Sequence, residues 1–205
     1  GLKRDYKFLF VADSHITVAD ENDSAEIKAY AREREAICKN DWGITSTQQF
    51  SKFIETANKY KADGLLLGGD ILDFPTKGNV DFLIEQLSIL NGDYLYAIGN
   101  HDWTYPWEYM TDTAKTIYRP MIGKLADKGT LDAQILEYED LIILSVDNST
   151  DQISPSALPI AEEALGRGKP VIVLMHVPLQ TDSLLDKAGT ERGPKVMIGD
   201  RSIQA

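Results

Sequence analysis

Short apolar runs alternate with longer amphipathic stretches through the first half of the chain. Lys7–Ala12 (KFLFVA), Gly64–Gly69 (GLLLGG) and Tyr94–Ile98 (YLYAI) have the length of buried strands and are too short for helices. Between the second and third, Val80–Leu90 reads as a helix. Ahead of the second, Phe50, Phe53, Ile54 and Ala57 recur at helical spacing within Thr45–Lys61, where Ser46 or Thr47 can cap. Strand, helix, strand, helix, strand is the order of a parallel sheet with right-handed crossovers. One stretch interrupts it. From Val18 to Gly43 the chain is highly charged, with a helix expected from Asp23 or Ser24 to about Lys39 and Ile27, Tyr30, Ala31 and Ile37 roughly on one face. This is long for a strand-to-helix connection, so residues 18–45 read as an insertion. A solvated surface helix and a lid or specificity element are both open to it.

The second half breaks the alternation. Helix is expected beyond Pro106. Gln134–Tyr138 and Leu141–Asp147 then follow as two strands joined tightly through Glu139-Asp140, which suggests a hairpin opening a second sheet. Ser154–Arg167 reads as a helix closed by Gly168, and Val171–Met175 as a last strand. The tail after it is weakly patterned. No repeat or interdomain linker is visible, and 205 residues fit a single domain, 1–205, with a core of its own.

Composition narrows the partners. A net charge of −11 argues against a nucleic-acid backbone as main partner. No apolar run has the length of a membrane span. The single cysteine, Cys38, rules out an intramolecular disulfide framework and leaves the compartment open, as does a chain that starts at Gly1, where a removed signal peptide would not be seen. Oligomeric state is equally open.

The strand ends carry the candidate chemistry. The first delivers Asp13 and His15, the second Asp70 after two glycines, the third Gly99-Asn100-His101-Asp102, and the last His176. All three histidines of the chain fall at such ends, where ligands bind in open α/β sheets. Carboxylate and amide oxygens with imidazoles suit manganese, iron or zinc. Asp13 and His15, two apart, can turn toward one ion; Asp70 can bridge two; Asn100 and His176 complete the second position. Two such ions can activate a water and clamp a phosphoryl group.

The succession Asp13-Ser14-His15, Gly69-Asp70, Gly99-Asn100-His101-Asp102 and His176 resembles the calcineurin-like metallophosphoesterases, over about Lys7 to Pro178. The resemblance implies an α/β fold, a sandwich of two mixed sheets flanked by helices. It also implies two divalent or trivalent metal ions and hydrolysis of small-molecule phosphate mono- or diesters. By it, Asp13 and His15 hold the first metal, Asp70 bridges, and Asn100 and His176 hold the second. His101, left without a metal, faces the leaving-group oxygen, either stabilising the departing alkoxide or donating a proton as general acid, and Asp102 orients its imidazole and raises its pKa.

The family pattern closes with a GHxH motif that supplies two more histidine ligands. No histidine follows His176 here, and Met197–Asp200 (MIGD) offers only a glycine and a carboxylate. The expectation is therefore a domain whose C-terminal part is missing. The alternative is a weakened or non-catalytic metal-binding relative. Trp103, Tyr105, Trp107 and Tyr109 can either stack on substrate or pack the core. Arg32, Arg34, Arg119 and Arg192 are scattered, and any of them can meet a phosphate if folded inward. A serine hydrolase lacks its G-x-S-x-G elbow, and a Rossmann oxidoreductase its glycine-rich loop after the first strand.

Overall fold

The computed structural model describes residues 1–105, 107, 110–184 and 187. In chain order the elements are β1 (Phe8–Val11), α1 (Ala25–Ile37), α2 (Ser46–Tyr60), β2 (Gly64–Gly68), α3 (Lys77–Ser88), β3 (Asp93–Ala97), α4 (Asp112–Ile122), β4 (Ala133–Glu137), β5 (Ile142–Val146), α5 (Leu158–Gly166) and β6 (Val171–Leu174). The first sheet is β1-β2-β3, all parallel, with Leu9 beside Leu65 and Leu65 beside Tyr94. The second is β4-β5-β6, an antiparallel hairpin followed by a parallel β6.

The period of two along each strand sorts the core into layers. Leu65, Leu67 and Tyr96 face Phe50 and Ile54 of α2, Val80 and Leu83 of α3, and Ile122 of α4. Leu66, Leu95 and Ala97, on the opposite face, pack on Leu136, Ile143 and Leu174 of the second sheet. The outer face of that sheet, Ile142, Leu144 and Val146, packs on Ala157 and on Ala164 of α5. Helices, sheet, sheet and helix are thus stacked, the two-sheet sandwich that the strand pattern and the resemblance imply. Strands bury both faces here, which is why they read as unbroken apolar runs.

Two helix starts differ from the apolar pattern for a local reason. α3 begins at Lys77 because the Thr76 hydroxyl accepts the Asn79 N–H, and Asn79 is itself fully buried. Its side chain donates to Phe74 O at 2.8 Å and accepts the Val18 N–H at 2.7 Å. That polar residue fastens the start of the insertion and is no part of any apolar periodicity. α4 begins at Asp112, capped by Thr111, well beyond Pro106, and carries Pro120 near its end. α2 matches its capping-box signal at Thr45 and Gln48. The segment Met197–Asp200, with Arg192 and Tyr109, lies outside the described residues. Among those described, no helix is long and apolar enough to cross a membrane.

Candidate metal centre

Beyond the ends of β1 and β2 the chain does not separate. Asp13 N–H donates to Gly69 O at 3.0 Å, His15 N–H to Asp70 O at 3.0 Å, and Ile16 N–H to Ile71 O at 2.8 Å. The two exit loops therefore run side by side and bring Asp13, His15 and Asp70 together. Those three residues hold left-handed backbone, with φ of 54°, 45° and 49°. Gly69, between them at φ 89°, makes room as well: a Cβ there would lie 2.5 Å from the His176 imidazole.

The third loop is clipped to the second by Asp102. Its carboxylate, fully buried, accepts the backbone N–H of Gly99 at 2.6 Å, Asp70 at 3.0 Å and Leu72 at 2.8 Å. Burial, with the Asp70 charge nearby, pushes its pKa up to about 6 against the pull of those donors. His101 N–H in turn donates to Asp70 Oδ1 at 2.9 Å. A Cβ on Gly99 would overlap the Asp70 carboxylate and its backbone nitrogen. Asn100 keeps its carbonyl on Thr104, from N–H at 3.2 Å and Oγ1 at 2.8 Å.

His176 arrives from β6. Its Nδ1 lies 3.0 Å from Gly68 O, so it carries the proton and donates, and its Nε2 lies 3.3 Å from Asp70 Oδ2. Burial lowers its pKa, but the Asp70 carboxylate outweighs that and lifts it to about 9. Asp13, Asp70 and His176 each present one ligand atom, all within 4.8 Å of one another.

A second cluster joins His15, Asp73 and His101 within the same span. Here the imidazoles point their Nδ1 atoms at one buried carboxylate: His15 lies 3.0 Å and His101 3.5 Å from Asp73 Oδ1. His101 Nδ1 is also 3.2 Å from Asp73 O. The carboxylate beside His101 is therefore Asp73. The contact expected from Asp102 is not formed, because both Asp102 oxygens are taken by backbone. Arg34 of α1 completes the cluster, with Nε to Oδ2 and Nη2 to Oδ1, each at 2.7 Å. Burial raises the Asp73 pKa, yet Arg34, His101 and His15 together hold it well below the usual carboxylate range. Burial likewise lowers the His101 pKa, and Asp73 and Asp70 raise it overall.

The donor set fits metal ions. Each of the three imidazoles has its Nδ1 committed to protein, which leaves Nε2 as the atom for a ligand, the usual arrangement around a bound metal. Asp73 does not fit, since both oxygens lie in the fork of Arg34. Neither Asp73 nor Arg34 was singled out as a metal-centre residue by the sequence, although Asp73 stands three places after Asp70, where a strand-exit loop can turn it inward. Of the aromatics, Trp103 and Tyr105 are core, and Trp107 stacks on Tyr105 at 5.0 Å.

Two cavities differ in their relation to the strand-end residues. A small one, about 260 Å³, opens beside Asp13 and His15 and is bounded by Ser14, Cys38, Gln49 and Phe53. A larger cleft of about 800 Å³ between α4 and residues 150–156 includes none of the strand-end residues. Its cations, Lys115 and Arg119, are taken by Asp147 and Asp132.

The sequence model of the calcineurin-like phosphoesterases matches residues 6–203. No curated protein matches the sequence. Among solved structures, a dimetal phosphatase from Danio rerio superposes with a TM-score of 0.51 at 11% identity, over 85% of this chain and 70% of that one. At that identity the likeness speaks for the fold.

Proposed function

Because the chain belongs to the calcineurin-like phosphoesterase family, we propose that this metal-dependent phosphoester hydrolase acts on mono- or diesters of small molecules at a two-metal centre. Asp13 and His15 would hold one ion and Asn100 and His176 the other, with Asp70 placed to serve both, and manganese, iron or zinc are the metals these donors suit. When bound, such ions lower the pKa of a water and stabilise charge on a phosphoryl oxygen. The observation that carries the reading is the convergence of Asp13, Asp70 and His176 within 4.8 Å.

The chain's own groups supply the rest. Asp70 would bind through its carboxylate, and its backbone N–H, held on Asp102, fixes the loop that carries it. His101 holds a proton at Nε2 for the departing alkoxide, with its Nδ1 kept on Asp73. Burial lowers its pKa, but the neighbouring Asp73 and Asp70 carboxylates raise it overall and so favour the charged imidazole that a general acid requires. The small cavity beside Asp13 and His15 has room for a modest leaving group against Phe53.

Metal analysis and turnover of nitrophenyl phosphate and bis-nitrophenyl phosphate test the proposal. Wild type should carry two ions and cleave at least one ester, and Asp70→Asn should lose both properties. Equal metal content in the two proteins removes Asp70 from the centre. The second reading is a metal-binding relative with little turnover. It predicts bound metal without nitrophenolate release.

A further inference from the structure

Helix α1 belongs to the inserted stretch and is anchored lightly. Ala31 is its one buried residue, and Tyr30 packs on Phe74 at 5.4 Å. One turn on, Arg34 leaves this aromatic contact and reaches Asp73, 39 residues away in the chain. The contact is bidentate, with both distances 2.7 Å, and the Asp73 side chain is 1% exposed against 22% for Arg34. The oxygen that takes Nη2 is the one that faces both imidazoles, His15 at 3.0 Å and His101 at 3.5 Å. A planar fork fixes the plane of the carboxylate it grips, which a single ammonium cannot do. Without that grip, a buried anion would have only two imidazoles to compensate it, and its plane would be free to turn.

We propose that Arg34 is a positioning residue of the reaction: it locks the Asp73 carboxylate so that His15 and His101 are held by Nδ1 and present Nε2 to the metal and substrate. The inference rests on the hydrolase reading above, which makes His101 the leaving-group acid and His15 a ligand. It makes the insertion a working part of the centre. A phosphate-binding role would have to use the outer N–H groups, because Nε and one Nη2 N–H are spent on Asp73.

The test uses Arg34→Ala and Arg34→Lys in the full chain. In metal-free protein, long-range proton–nitrogen spectra of the imidazoles need resolve only three residues. Both variants should shift or broaden His15 and His101 and leave His176 in place. In manganese-loaded protein, kcat for nitrophenyl phosphate should fall about 10–100-fold, the usual loss when a partner behind a ligand is removed, with KM changed less than about twofold. Ethylguanidinium should restore part of the rate to Arg34→Ala and none to Arg34→Lys. Unchanged kcat, or a raised KM at unchanged kcat, overturns the proposal, the second outcome making Arg34 a substrate contact. So do unmoved imidazole signals. If Arg34→Ala fails to fold, Arg34→Lys, which keeps the charge without the fork, decides on the same readouts. If wild type itself does not turn over, the hydrolase reading fails, and the imidazole spectra still judge the hold on Asp73.

Discussion

The Asp102 carboxylate accepts the backbone N–H of Asp70 at 3.0 Å, across 32 residues of chain. With its bonds to Gly99 and Leu72, this makes one buried side chain the fastening between two loops that carry candidate ligands. Asp102→Asn should therefore act on stability and on metal binding together. An amide has one acceptor oxygen, and its NH2 group would face backbone donors. A loss of about 1–3 kcal/mol is expected, the range for leaving a buried donor unpaired. A lower denaturant midpoint at unchanged slope would read it, alongside weaker metal binding. A variant as stable as wild type would show that the clip contributes nothing.

His101 should separate from the ligands by its behaviour. His101→Asn is expected to keep its metal and to lose roughly 10²–10⁴-fold in turnover, the range for an acid–base group. The loss should be smallest for nitrophenolate esters, whose leaving groups need little protonation, and larger for alkyl esters. Loss of metal in this variant would place His101 among the ligands instead.

The pair Asp70–His176 makes the metal-free protein sensitive to pH. His176 stands at about 9 in the folded chain against an ordinary 6.5. A histidine pKa raised by folding contributes stability that is whole below pH 6.5 and lost as pH rises through 9. The contribution is at most on the order of 3 kcal/mol. Melting curves of chelator-treated protein should show Tm falling across that window, and His176→Asn should flatten the fall. A flat profile in wild type would mean that the pair does not form in solution.

The sheets were legible because strands buried on both faces leave unbroken apolar runs between charged helices, and a strand end is where a lone aspartate or histidine stands out. Asp13, Asp70 and His176 were found in that way. Asp73 was not, since a carboxylate inside an exit loop has no periodicity to break and its burial depends on a partner 39 residues earlier. Arg34 was hidden for the converse reason. It sits on a helix so charged that its inward side chain looks like its outward ones, and only tertiary packing chooses between them. Adjacency in sequence makes Asp102 a partner for its neighbour His101, whereas its bonds run to Gly99 and to the β2 exit loop.

Asp13, His15 and Asp70 keep backbone that L-residues avoid, at φ of 54°, 45° and 49°. Each such residue costs on the order of 1 kcal/mol relative to a relaxed one, aspartate less than histidine. Three together are a sizeable part of the margin of about 5–15 kcal/mol by which a domain of this kind stays folded. Glycine would fit all three positions more comfortably and would carry no ligand atom. Selection for thermal endurance alone would thus empty these places, so at this edge of the sheet durability and activity pull the same three residues in opposite directions.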